Sequence, residues 1–382
     1  MILFATLNML ACIAWALAWR WRVKPLWIVA PEQRPERAPG NFKISVIIPA
    51  RNEGRRLPAL LSSLREIGGV AEIIVADDSS SDNTRECADL AARLDPRIRA
   101  FSAPAKPDGW VGKPWALHHA ARLARGDCLV FMDADVTPGA GVLDIAASIM
   151  AGQQLDALSL IPAMRTPSAP AACLLACLAS ARALFLKPAR PGRPGGIAQG
   201  AFFAIRRGAY DAVGGHAAVS GRVVEDVALG RLLEEKGFRV LTLAAQDMLQ
   251  TLAYSTLRET WVEMQKHIYP ALGFSARNAL LLALGIGFLA IYPPIMLLAA
   301  LAWSVFHPSP AALAMSGSAV AATLAAYSVL ARVIRQEGLP LIAVAAAPLA
   351  FLAAAGMLAG SVLAYTRARG RVAWKDRHYP AR

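Results

Sequence analysis

The chain shows two kinds of hydrophobic pattern. Residues 2–19 form an unbroken apolar run long enough to span a bilayer, and three later runs, about 278–306, 311–331 and 340–364, are of the same kind. Between them the pattern breaks into short blocks. Ile44 to Pro49 and Glu72 to Ala76 are rich in β-branched residues and predict buried strands, as do Ile98 to Phe101 and Cys128 to Met132. Leu57, Leu60, Leu61 and Leu64 recur at helical spacing over about 53–66. Further helices are predicted behind the capping run Ser81-Asp82-Asn83-Thr84, through Leu94, and over Pro114 to Arg125. Strands alternating with helices predict an α/β domain with a mostly parallel sheet covered on both faces. Ligands of such sheets bind beyond the carboxyl ends of the strands. Asn52, Asp77, Asp78, Asp133 and Asp135 all fall there.

Composition adds a membrane. Apolar residues make up 56% of the 382 and the mean hydropathy is +0.41, too high for an ordinary soluble enzyme. The net charge of +13 sits beside the apolar runs, at Arg20, Arg22 and Lys24 and again at Arg367, Arg369, Arg371, Lys375 and Arg377. With no aromatic-interleaved stripe, this favours anionic lipid headgroups over nucleic acid. No Lys or Arg precedes the first run, which is expected to be an uncleaved anchor that leaves the next domain in the cytosol. The expected location is the cell (inner) membrane, with several crossings. Pro293-Pro294 is expected to kink the 278–306 run or make it re-enter. Three crossings would carry the basic tail outside, so either one run does not cross or the positive-inside bias is broken. The five cysteines match no zinc or disulfide spacing; Cys173 and Cys177 read as small core residues and a reducing compartment fits.

The expected domain plan is an anchor at 1–24, an extended linker at 25–41 with three prolines between 31 and 40, an α/β catalytic domain at 42–250, an amphipathic interfacial region at 251–277, about three membrane helices at 278–365 and a basic tail at 366–382. Residues 170–187 are too apolar for a surface helix and short for a span. They read as a helix at the membrane surface near an acceptor route, or as a buried core helix.

The candidate chemistry centres on Val130-Phe-Met-Asp-Ala-Asp135. In an extended chain Asp133 and Asp135 point the same way. They repel unless something positive stands between them, either a hard divalent cation or an Arg or Lys.

Ser45-Val-Ile-Ile-Pro-Ala-Arg-Asn-Glu53, Ile74-Val-Ala-Asp-Asp-Ser79, Gly112-Lys113, Asp133-Ala-Asp135 and Val224-Glu225-Asp226 together resemble the family 2 glycosyltransferases over about residues 42–270. Gly109-Trp-Val-Gly-Lys113 and the Trp261/Lys266-His267 region are similar to a membrane subgroup associated with hopanoid and carotenoid biosynthesis. The resemblance implies a GT-A, Rossmann-like, nucleotide-diphospho-sugar domain. It implies donor contacts from Asn52, Glu53, Asp77, Asp78, Lys113 and Asp133, with Asp78 at the base. A Mg2+ or Mn2+ ion on Asp135, with Asp133 nearby, would neutralise the diphosphate leaving group. Asp226, with Glu225 beside it, would be the general base for an acceptor hydroxyl. One base and no protein nucleophile implies inversion. Each assignment has a structural counterpart: an Asx-turn at Asp77-Asp78, a helix cap at Asp133 and Asp135, a solvated loop lysine at Lys113, and dipole-favoured acids at Glu225 and Asp226.

Gly200, in Gly195-Gly-Ile-Ala-Gln-Gly200-Ala-Phe-Phe-Ala-Ile-Arg206-Arg207, lines the acceptor side by resemblance or is a simple hairpin glycine. The Gln-x-x-Arg-Trp motif of processive synthases is absent; Trp261-Val-Glu-Met-Gln-Lys266-His267 stands there instead. Lys266 and His267 could touch diphosphate or belong to an interfacial helix. His118-His119 do not form a ligand pair, since adjacent helix positions face different ways.

The expected function is an inverting, metal-dependent hexosyl-type transferase moving a sugar from a nucleotide-diphosphate donor to an isoprenoid-type membrane lipid. A non-enzymatic scaffold or lipid-translocating protein with a decayed domain is the alternative. A sugar nucleotidylyltransferase is disfavoured because the first strand ends in Pro49-Ala-Arg-Asn-Glu rather than a Gly-rich loop.

Overall fold

The computed structural model describes residues 2–17, 42–185, 198–252, 254, 256–287, 291–367, 371–374 and 377–380. Arg20, Arg22, Lys24, the 25–41 linker, Gly195 to Ile197, Arg369 and Lys375 lie outside the described residues. In chain order the elements are α1 (Ile2–Leu17), β1 (Ile44–Ala50), α2 (Leu57–Arg65), β2 (Val70–Asp77), α3 (Thr84–Leu94), β3 (Ile98–Ser102), α4 (Gly112–Leu123), β4 (Cys128–Met132), β5 (Val136–Pro138), α5 (Val142–Gly152), β6 (Ala157–Ile161), β7 (Ala163–Arg165) and α6 (Ala169–Phe185). They continue with β8 (Phe202–Arg206), α7 (Arg207–Ala212), a 3-10 turn at Gly215–Val219, α8 (Glu225–Glu235), β9 (Val240–Ala244), β10 (Leu249–Leu252), α9 (Leu257–Ala271), α10 (Ala276–Ile286), α11 (Tyr292–Phe306), α12 (Pro310–Gln336), α13 (Ile342–Ala345), α14 (Ala347–Arg367), β11 (Arg371–Trp374) and β12 (Arg377–Pro380).

Two compact units result. One is α/β: Trp27–Arg165, Ala189–Ala253 and Gly370–Arg382. The other is helical: Met1–Leu26, Thr166–Pro188 and Tyr254–Arg369. The continuous 42–250 domain expected from sequence is therefore interrupted by the segment carrying α6. Inside the helical unit α6 buries Ala171, Ala172, Leu174, Leu175, Ala176, Cys177 and Ser180, and packs against α9, α12, α13 and α14. It is a buried core helix of this unit, the second of the two expected readings.

The α/β unit is built on a seven-stranded sheet in the order β3-β2-β1-β4-β8-β6-β9. Only β8 runs antiparallel to its neighbours β4 and β6; the β1 pairings with β2 and β4, the β2–β3 pairing and the β6–β9 pairing are parallel. Alternation puts Val46, Ile48, Ile73, Val75, Val130 and Met132 on one face, under the Leu57, Leu60, Leu61 and Leu64 stripe of α2. Ile47, Ile74, Leu129 and Phe131 face the other way, under Ala116, Leu117, Ala120 and Ala121 of α4 and Leu229 and Leu233 of α8. The parallel strands β1, β2 and β4 therefore end at one rim, where Asn52, Asp77, Asp78 and Asp133 follow.

At the opposite end, Glu72 closes the sheet. Its Oε1 accepts from Ser45 Oγ at 2.7 Å and from the Arg125 amide, and its Oε2 pairs with Arg99 at 3.2 Å. Ser45 Oγ in turn accepts from the Gly126 amide at 2.8 Å.

In the helical unit two helices, Pro310–Arg335 and Ala347–Thr366, are long and apolar enough to cross a membrane. The 278–306 run is divided between α10 and α11, and Pro293-Pro294 stands in the first turn of α11. Leu298, Val305, Phe306, Leu313, Leu324, Ile342 and Leu349 are exposed, an apolar surface beyond what single exposed hydrophobes on a soluble protein account for. Replacing Glu72 with Ala should lower stability by about 2–3 kcal/mol, since the Ser45 hydroxyl and the Arg125 amide lose their acceptor and Arg99 loses its partner. The loss is read as a fall in Tm of the detergent-solubilised protein; an unchanged Tm would contradict the network's role.

Candidate active site

The C-terminal rim of the sheet carries two side-chain groups that share Asp133. β4 ends at Met132, and the next residues turn rather than extend: the Val136 amide donates to the Asp133 carbonyl at 3.2 Å. The two acids are therefore not brought together by alternation along a strand. The turn places Asp133 toward the start of α4 and Asp135 toward the loop after β1.

In the first group, Lys113 Nζ lies 2.8 Å from Asp133 Oδ1 and 2.8 Å from Glu225 Oε1. The Glu225 side chain is only 4% exposed, so its carboxylate is enclosed against the lysine. Asp226, half-buried, accepts from the Gly200 amide at 2.5 Å through Oδ2 and from the Val227 amide at 2.8 Å through Oδ1. Both acids stand in the first turn of α8, where the helix dipole favours them. Burial alone would lower the Lys113 pKa, but the charges of Asp133, Glu225 and Asp226 outweigh it and hold the ammonium well above the ordinary lysine range. Burial pushes Glu225 up, and Asp226 adds to this against the pull of Lys113. Three acids around one ammonium thus leave a surplus of negative charge.

Gly200 fills the middle of this group. A Cβ built there would lie 3.0 Å from Lys113 Nζ, 3.3 Å from Asp226 Oδ2 and 3.4 Å from Asp133 Oδ2. Without a Cβ, the Gly200 backbone can approach these three charged side chains closely. Arg206 and Arg207, in the same segment, hold backbone carbonyls instead: Leu155 at 2.8 Å for Arg206, and Gly126 at 2.8 Å, Ala124 at 2.8 Å and Ala121 for Arg207.

In the second group, Asp135 is pushed up to about 6, by burial first and then by the charges of Asp133 and Glu53. Arg56 and a Thr251 hydroxyl offset this only in part. Among the described residues no three His, Cys, Asp or Glu side chains form a ready cage for a metal ion. Magnesium sites in phosphoryl chemistry, however, use one or two carboxylates plus the substrate's phosphates. A desolvated carboxylate with like charges beside it suits a cation shared in that way.

The loops after β1 and β2 interlock. Asn52 and Ser79 have positive φ, 54° and 56°, uncommon for residues with a side chain. The Asn52 amide donates to Ser80 Oγ at 3.0 Å, and Asn52 Oδ1 accepts from the Ser81 amide at 2.9 Å. Glu53 donates its amide to Thr84 Oγ1 at 2.8 Å and pairs with Arg56 at 3.6 Å. Asp77 is buried and accepts from the Ser80 amide, three residues on, at 3.3 Å. Asp78 is buried and paired with Arg51, whose guanidinium also donates to the Asp78 carbonyl at 3.0 Å.

Lys266 and His267 are on α9, in the helical unit. Lys266 Nζ is paired with Glu263 at 2.7 Å, and its carbonyl accepts from Tyr365 OH at 2.8 Å. Sequence reasoning missed two features. One is the pairing of Lys113, expected as a donor contact, with Glu225. Trp110, Trp115, His118 and His119 form one ring cluster, with Trp110 and Trp115 centroids 4.9 Å apart and Trp115 and His119 4.2 Å apart. The spacing of Trp115, His118 and His119 at i, i+3 and i+4 could have revealed its helical half.

Residues 45–158 match the family described as glycosyl transferase family 2. A 93-residue stretch is 43% identical to a 4,4'-diaponeurosporenoate glycosyltransferase of Staphylococcus haemolyticus, covering 24% of each chain. A 95-residue stretch is 37% identical to an undecaprenyl-phosphate mannosyltransferase of Micrococcus luteus, covering 25% of this chain and 38% of that one. The chain thus aligns with well under half the length of these relatives. In fold it resembles a mannosyltransferase of Pyrobaculum calidifontis solved with GDP-Man and Mn2+, at a TM-score of 0.50 and 20% identity over 91% of this chain and 97% of that one. Sequence match and sheet topology agree: residues 45–158 match glycosyl transferase family 2 and lie in an α/β unit of GT-A fold.

Proposed function

We propose that the protein transfers a sugar from a nucleoside-diphosphate donor to an isoprenoid-type lipid acceptor, with inversion, at the cell membrane. The observation that carries this reading is the meeting of Lys113, Asp133, Glu225 and Asp226 around the close backbone approach of Gly200, on the rim where Asp135 and Asp78 also stand. The relatives' printed acceptors, diaponeurosporenoate and undecaprenyl phosphate, support a lipid acceptor. The Mn2+ in the Pyrobaculum structure supports a divalent cation, without choosing Mg2+ or Mn2+. The apolar helices support membrane attachment, and Arg20, Arg22 and Lys24 behind the first apolar run support a cytosolic side for the α/β unit.

In this reading Asn52, Glu53 and Asp78 frame the base and ribose end of the donor, and Asp77 shapes the turn beneath them. Asp135, assisted by Asp133, would hold the cation, which when bound would neutralise charge on the diphosphate leaving group. Lys113 supplies a point charge to the same phosphates. Asp226 takes the acceptor's proton, because it is half-exposed across the Gly200 gap, whereas Glu225 is enclosed and positions Lys113. Attack on the anomeric carbon passes through an oxocarbenium-like state. Without a protein nucleophile the displacement is single, hence inverting.

Three outcomes test the reading. Purified protein with Mn2+ or Mg2+ should release nucleoside diphosphate from the right donor, and Asp135→Ala should cut this by about 100-fold or more. Equal release by both proteins would sink the metal assignment. Gly200→Ala should reduce turnover more than about tenfold with Tm nearly unchanged, since the added methyl meets Lys113, Asp226 and Asp133 rather than the core; normal turnover would show that the gap is not used. Finally, because Asp135 titrates at about 6, the metal-free fold binds that proton more tightly than the unfolded chain. Stability should therefore fall as pH rises from the ordinary carboxylate range through about 6. Mn2+ affinity should rise over the same window and level off above it. Calorimetry across pH 5–8 that finds constant affinity would contradict this.

A further inference from the structure

The repulsion between Asp133 and its neighbours has two chemical remedies, a divalent cation or a basic side chain, and in this structure a basic side chain is in place. Lys113 Nζ holds Asp133 Oδ1 and Glu225 Oε1 at 2.8 Å each. Asp226 lies across the same small gap, since one Cβ at Gly200 would be 3.0 Å from the ammonium and 3.3 Å from Asp226 Oδ2. The lysine stands in the first turn of α4, where the helix dipole opposes a cation, so the acids rather than the helix hold it there. One ammonium thus spans the acid on the diphosphate side and the acid pair on the acceptor side.

We propose that Lys113 is a displaceable internal counter-cation, which ties Asp133 to the Glu225–Asp226 pair in the donor-free protein and is drawn off when a donor diphosphate arrives. This rests on the donor reading above. Its consequence is an order of events. Until a diphosphate competes for the ammonium, Lys113 occupies Asp133 and crowds Asp226. Once the phosphates take the ammonium, Asp133 is free for a metal and Asp226 is free for an acceptor proton. The donor therefore prepares both ends of the site, and acceptor activation follows donor binding.

A lysine that only contacts donor phosphate would leave metal binding unaltered in the absence of nucleotide. A counter-cation would not, because unit charges a few ångströms apart still interact strongly at the effective dielectric of a protein rim. The test is Mn2+ titration of nucleotide-free protein by calorimetry, using Lys113→Met, Lys113→Arg and, as a charge-matched control, Lys236→Met at the exposed far end of α8. Lys113→Met should bind Mn2+ at least tenfold more tightly than wild type, and Mn2+ should raise its Tm more. Lys113→Arg and Lys236→Met should stay within about twofold of wild type. If Lys113→Met does not fold, Lys113→Gln combined with Glu225→Gln avoids leaving a buried acid unpaired and should show the same gain. Unchanged Mn2+ affinity in these Lys113 variants, from a wild type that binds nucleoside diphosphate, overturns the counter-cation and leaves the donor reading intact. A wild type that binds no nucleoside diphosphate removes the donor reading, while the Mn2+ comparison still decides the counter-cation.

Discussion

The site depends on charge compensation by one lysine. The start of α4, the turn after β4 and the first turn of α8 are far apart in sequence, and each brings a charge to the same point. Without Lys113, Asp133, Glu225 and Asp226 would face one another across the gap left by Gly200. The sheet makes the meeting possible. β1, β2 and β4 run parallel and end together, and the antiparallel β8 brings Gly200 back to the same rim. The Glu72 network at the opposite end fixes the sheet from which these loops are hung.

Most of the α/β unit was legible in the sequence because its elements are periodic. The β-branched runs became β1 to β4, and the four-leucine stripe of α2 is buried as spaced. The capping run before α3 also works, although Asp82 rather than Asn83 does the capping: its Oδ1 accepts from the Thr84 amide at 3.0 Å. The acids of the rim were legible as residues but not as partners. Alternation along a strand suggested that Asp133 and Asp135 point together; the chain turns at Ala134 instead, so that Asp133 pairs with Lys113 while its charge still acts on Asp135. The Lys113–Glu225 pair was not legible, because no local pattern links the head of one helix to the head of another. The place of α6 was also hidden, since apolar composition alone fits a helix on a membrane or inside a bundle.

The helical unit follows different packing rules. α9 seats on α14 where the latter is small: Gly356 faces Trp261, Gly360 faces Gln265, and Ser361 accepts from the Tyr269 amide at 3.3 Å. Small residues that let helices approach closely are the usual means of association where the surroundings are as apolar as the helices. Lys266 is thereby held by its neighbours on both α9 and α14. This seating explains how an amphipathic segment with several charges can be ordered within a unit whose exposed large hydrophobic residues are mostly leucine.

The central claim is that the acid rim, a divalent cation and Lys113 together hold a nucleoside diphosphate. The most direct measurement is a thermal-shift screen of nucleoside diphosphates against the purified protein, with and without Mn2+. A ligand at about 100 times its Kd stabilises the folded state by about 2.7 kcal/mol, a shift of Tm that is easily read. One nucleoside diphosphate should raise Tm when Mn2+ is present and much less when it is absent. No shift from any nucleoside diphosphate, or one indifferent to the metal, would contradict it.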